Sequence, residues 1–244
     1  MERPIGTLFN PLAVRGDRHF RWRGGDISRI EAFSDAVFAF AITLLVVSLD
    51  VPTTFDELTA AMRGFVAFGL CFALLVYIWY NHFLFFRRYG FEDPSTVALN
   101  GVLLFVVLFY VYPLKFVWVF LTRILFGVES GVETVIVGEQ MRSLMLIYSG
   151  GFLALFLLLA TLFHRAYRKR DVLALDPLEV HMTVTSIGSH LIQAGVAAIS
   201  IGIVVFGGHP AISGVIYAAI GPLVGIHAAI RARRQDALLA LRSL

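Results

Sequence analysis

Successive runs of ~20 predominantly apolar residues, separated by short polar breaks, constrain this chain more than any other feature. Each run can cross ~30 Å of hydrocarbon as an α-helix, which satisfies every backbone N–H and C=O within its own segment. The runs do not alternate apolar and polar residues, so they do not fit the ~10-residue strands of a transmembrane β-barrel. Composition agrees. The chain is 58% hydrophobic and 15% charged, whereas a soluble domain is roughly 45–50% apolar and about 25% charged. The expected class is an all-α, polytopic membrane protein.

Breakers and charges divide the chain into six expected helices. The first runs from Asp26 or Ile27 to Leu49 and stops before Pro52. Asp26 is its expected N-cap, with Arg29 rather than a capping-box Glu three residues on. An acidic loop with Asp50, Asp56 and Glu57 leads to the second helix, 64–86, which ends on Arg87 and Arg88. The third spans 96–121, with a kink expected at Pro113 and with Lys115 expected to snorkel. After a polar loop at 127–138 comes the fourth, 141–163, then a linker at 171–181. The fifth covers 182–206 and the sixth 211–230. In domain terms, residues 1–26 form a basic, irregular N-terminal arm, 27–230 the transmembrane domain and 231–244 a C-terminal tail.

Charge placement sets the orientation. Of the 20 Lys and Arg residues, all but Arg63, Lys115, Arg123 and Arg142 lie in segments that an arrangement with both termini cytoplasmic puts inside. Cytoplasmic loops carry such an excess, so both termini are expected in the cytoplasm. The same placement makes the net charge of +3 a topology signal rather than a nucleic-acid surface. The lone Cys71 cannot form an intrachain disulfide or a cysteine metal cluster. Residues 1–26 are polar and basic, and no signal peptide is expected there.

Topology brings polar groups to one depth. Ser34 and Asp35 lie ~12 Å along the first helix. His82 sits one to two turns before Arg87, and Asn100 about one turn past Pro94. Arg29, Ser34, Asp35, His82 and Asn100 could therefore share one layer, in which a buried carboxylate finds its partners. Such a layer either locks three helices together or senses protons and binds permeating ions. Farther along, Phe40, Thr43, Leu44 and Val47 fall at i, i+3, i+4 and i+7, one stripe of a helix. Packing explains such a stripe as readily as a pore lining does, and a Thr hydroxyl commonly bonds back to the carbonyl four residues earlier.

Arg29, Phe33, Ser34 and Asp35, running on into AVFAFAITLL, resemble the first-helix motif of the transmembrane protein 175 family, the endolysosomal potassium channel and its prokaryotic relatives. WYNHFLFF at 79–86 resembles the end of that family's second helix, and LNGVLLF followed by Pro113 its third. The resemblance is strongest over residues 29–115. It implies six-span subunits assembled as a homotetramer, with four copies of the first helix lining the pore and no re-entrant filter. It further places Phe40, Thr43, Leu44 and Val47 on pore-facing layers, and Arg29, Phe33, Ser34, Asp35, His82 and Asn100 in an interhelix polar network. Where the family usually carries isoleucine or leucine, this chain has Phe40, a bulkier apolar plug consistent with gating by dewetting.

Nothing else in the chain carries chemistry. No HExxH, nucleophile elbow or phosphate-cradling glycine loop occurs, so neither enzymatic activity nor a resident cofactor or metal is expected. Gly188, Gly195, Gly202, Gly221 and Gly225 are expected at close helix contacts. The functional expectation is passive potassium conduction in a bacterial inner membrane, with membrane lipids and further copies of the chain as partners. A proton-coupled transporter using Asp35 and His82, or a non-conducting scaffold sealed by Phe40, would be the alternatives.

Overall fold

A computed structural model describes residues 19–47, 53–126 and 139–242. The polar loop at 127–138, Asp50 and most of the N-terminal arm lie outside the described residues. Among those described, all regular structure is helical: α1 (Arg29–Val47), α2 (Phe55–Tyr89), α3 (Pro94–Phe126), α4 (Glu139–Arg168), α5 (Pro177–Val205), α6 (Pro210–Val215), a 3-10 turn (Ile216–Ala219) and α7 (Ile220–Arg242).

Three helices begin on reciprocal caps, and these explain where the boundaries differ from expectation. At α1, Ser28 rather than Asp26 is the cap. Its Oγ accepts from the Glu31 backbone N–H at 3.3 Å, while its own N–H donates to the Glu31 carboxylate at 2.9 Å. Thr54 and Glu57 form the same device, so α2 starts at Phe55 rather than Gly64 and absorbs most of the supposed acidic loop. Asp176 and Glu179 form a third, with Pro177 in the first turn, so α5 takes in half of the supposed linker. The helix α2 ends at Gly90, whose φ of 62° is the left-handed conformation that closes a helix. The helix α3 continues through Pro113 to Phe126. The expected sixth helix is broken into α6, the 3-10 turn and α7, and α7 passes position 230 without interruption.

Five segments are long and apolar enough to cross a membrane: 65–89, 94–119, 139–168, 177–205 and 210–239, the last made of α6, the 3-10 turn and α7 together. The helix α1 is not among them; the residues that follow it in the apolar run, and the side chain of Val47, lie outside the described residues. It packs against α2 and α3, while α4 pairs closely with α5 and α5 with α7. Phe38, Ala41 and Leu45 of α1 join a core with Cys71, Leu75 and Ile78 of α2 and Leu103 and Val107 of α3. Without a hydrophobic drive between helices in lipid, such contacts rest on close packing and hydrogen bonds. Gly151 of α4 permits one of them, since a Cβ there would lie 2.3 Å from the Tyr110 ring. Of the five glycines singled out in the sequence, Gly188 alone makes such an approach among the described residues, to the His227 ring; the other four meet none of them within 4 Å.

Candidate conduction site

The helix α1 has two faces. Glu31, Ser34, Phe38, Ala41 and Leu45, spaced alternately three and four residues apart, are buried against the rest of the chain. The other face carries Arg29, Phe33, Ala36, Phe40 and Thr43, all exposed, with Phe33 at 62% and Phe40 at 56%. Leu44 lies at the edge between the faces, partly buried against the core. Val47 closes α1, and its side chain lies outside the described residues. Of the predicted stripe, Phe40 and Thr43 are thus exposed and Leu44 half-covered, on a face that the described residues leave open.

Thr43 donates its hydroxyl hydrogen to the Ala39 carbonyl at 2.9 Å. Its only proton is therefore occupied, and the oxygen that remains toward the open face is purely an acceptor. An acceptor oxygen suits a cation and repels an anion. Behind this level Lys115 does not snorkel away: its Nζ donates to the Leu45 carbonyl at 3.4 Å.

Nearer the start of α1, three of the predicted polar residues form a closed buried chain. Asn100 donates through Nδ2 to Ser34 Oγ at 2.9 Å and accepts at Oδ1 from His82 Nε2 at 2.8 Å. Ser34 donates in turn to the Ile30 carbonyl at 2.7 Å. The amide orientation leaves His82 to supply its hydrogen from Nε2. Each of these bonds is satisfied without a net charge, and the chain ties α1, α2 and α3 together.

Arg29 and Asp35 stand apart from it. The Asp35 carboxylate accepts from the Trp79 indole N–H at 2.8 Å on the exposed side of α1. Arg29 makes no ion pair among the described residues, and neither His82 nor Asn100 reaches Asp35. Phe33, the other motif residue, points outward beside them. The buried carboxylate of α1 is instead Glu31, paired with Arg87 at 3.4 Å. The Ser-x-x-Glu signature at 28–31 could have revealed it; the Trp79–Asp35 contact has no local signal in the sequence.

The same residues appear in known proteins. A sequence model described as the endosomal/lysosomal potassium channel TMEM175 matches residues 29–110, which hold α1, α2 and the first half of α3. A potassium channel of Marivirga tractuosa is 43% identical to this chain over 189 residues, 75% of this chain and 76% of that one. The chain belongs to the TMEM175 potassium-channel family. A second TMEM175-like relative, a potassium channel of Chamaesiphon minutus, is 36% identical over 96 residues, 36% of this chain and 47% of that protein. The fold is similar to the crystal structure of a threonine-to-alanine variant of the potassium channel MtTMEM175 in complex with a nanobody–MBP fusion. The TM-score is 0.76 at 38% identity, covering 88% of this chain and 97% of that one. The TMEM175 match takes in both the open face of α1 and the buried Ser34–Asn100–His82 chain. It is a family of multi-pass channels rather than enzymes.

Proposed function

We propose that this TMEM175-family potassium channel conducts passively through a pore lined by four copies of α1, in a homotetramer of six-span subunits. The carrying observation is the two-faced α1: one face is buried in its own subunit, and the other presents Phe33, Phe40 and Thr43 with none of the described residues covering it. A helix with polar residues at membrane depth turns them toward protein or a water-filled path, not lipid. In this reading α1 is the sixth span, both termini are cytoplasmic, and the protein sits in a bacterial inner membrane.

Four Phe40 side chains form the apolar constriction, and ions pass when it is wetted. Four Thr43 oxygens, each with its proton tied to Ala39, replace part of the hydration shell just beyond it. Leu44 and Val47 complete the apolar wall. Potassium is the permeant ion, and conduction needs no cofactor, resident metal or catalytic step. The neutral Ser34–Asn100–His82 chain acts as a lock between helices, which favours a channel over a proton-coupled transporter.

Potassium flux into liposomes holding the purified protein tests this reading. Flux that follows the potassium gradient without proton exchange is the expected result, and Phe40→Ala raises it. Saturable, proton-dependent exchange, or a Phe40→Ala variant with unchanged flux, overturns it.

A further inference from the structure

A run of buried ion pairs joins the start of α5 to the start of α1 through the segment at 19–28. Glu179, 1% exposed, takes both terminal nitrogens of Arg23, at 3.1 and 2.6 Å, and the Arg21 backbone N–H at 2.8 Å. Arg23 also donates from Nε to the Leu173 carbonyl at 2.8 Å. The backbone N–H groups of Arg23 and Gly24 both donate to the Arg87 carbonyl at 3.1 Å, capping the end of α2. Arg87 in turn reaches the Gly25 carbonyl at 2.9 Å and Glu31 in the first turn of α1.

The fit is tight. A Cβ on Gly24 would lie 2.8 Å from the Phe86 carbonyl oxygen, and one on Gly90 3.0 Å from that of Arg23. Phe20 is buried edge-on against Tyr89, with the Arg88 guanidinium 4.9 Å from its ring centre. Only residues 25–28 separate this clasp from the first turn of α1.

We infer that Arg23 and Glu179, with Arg87 and Glu31, are positioning residues for the pore: the clasp sets the tilt of α1 and so the spacing of Phe40 across the axis. This rests on the reading that α1 lines the pore. Phe40 lies twelve residues beyond Ser28, about 18 Å along the helix. A tilt of about 5° at the clasped end therefore moves its ring by roughly 1.6 Å, enough to wet or dry an apolar constriction. Thr43 moves with it, but its oxygen keeps its bond to Ala39, so the clasp acts on opening rather than on ion preference.

Single-channel recording of the full chain in liposomes tests this, with inter-subunit distances measured between spin labels on Ala36 of α1. Arg23→Gln should change open probability at least threefold and shift or broaden the label distances, with unitary current and potassium preference unchanged. Arg23→Lys should recover at least half of the change. Glu179→Asp, a milder shortening, should act in the same direction should Arg23→Gln fail to fold. A folded, tetrameric variant of either kind with wild-type opening and wild-type distances overturns the inference. Failure of the pore reading shows differently: Phe40→Ala and Thr43→Val then leave the current untouched whatever the clasp variants do.

Discussion

Asn100 on α3 and Ser34 on α1 are joined at 2.9 Å, and the amide's second hand is held by His82 on α2 at 2.8 Å. One side chain thus fastens α1 to both of the helices it packs against. Replacing it with leucine keeps the volume but leaves Ser34 and His82 without their partner. Interhelical hydrogen bonds in membranes contribute ~0.6 kcal/mol on average and at most ~1.7. Asn100→Leu should therefore lower stability by about 1–2 kcal/mol, read as a lower midpoint of thermal unfolding in detergent. Ser34→Ala, which removes one interhelical bond along with the hydroxyl's bond to its own helix, should lose about half as much.

Thr43 should decide ion preference. Its oxygen is an acceptor only, because its proton is tied to Ala39. Thr43→Val keeps the shape and removes the acceptor; one such contact contributes about 1 kcal/mol, near fivefold in a ratio. The potassium-to-sodium permeability ratio should fall by about that factor, measured as a reversal potential under bi-ionic conditions. Thr43→Ser should retain most of it.

Acid should loosen the turn between α2 and α3. Burial pushes the Asp93 carboxyl up, but the Thr96 hydroxyl, Arg165 and Lys169 outweigh it and hold the group below its ordinary value of 3.8. A carboxylate lowered on folding contributes stability that is fully present above that value and is lost as the pH falls through the folded one. Thermal unfolding should thus become easier below about pH 4. Asp93→Asn should be less stable than wild type at neutral pH and should flatten this part of the profile.

A methyl group on α4 should separate two helices. Gly151 faces the fully buried Tyr110 ring, and a Cβ there would sit 2.3 Å from it. Gly151→Ala should lower stability by about 1–3 kcal/mol. Gly150→Ala, beside it with nothing within 4 Å, should be near neutral. A comparable loss in both would show that the approach to Tyr110 is not the cause, since alanine favours a helix over glycine.

The class of the protein and its family motif were legible in the chain because they rest on local properties. Apolar runs of bilayer length must be helical in lipid, and the residues from Arg29 to Leu45 carry the family pattern in order. Helix starts were legible in principle as well. Ser28–Glu31, Thr54–Glu57 and Asp176–Glu179 are each a capping pair three residues apart; taking Asp26 as the cap hid the first, and reading the other two as loop and linker hid them.

Partner choice was another matter. Depth along the helices placed Asp35 with His82 and Asn100, yet rotation about the helix axis sends Asp35 to Trp79 and leaves Arg29 outside. Depth follows from counting residues, whereas rotation follows from which side chains pack. The same holds for the arm: its arginines looked like a topology signal, but Arg23 is bound to Glu179, over 150 positions away. By itself, then, the sequence determined a helical membrane channel and the helix that carries its family motif. Only the tertiary structure decided which face of that helix is left open and what clasps its end, because those depend on packing between segments far apart in the chain.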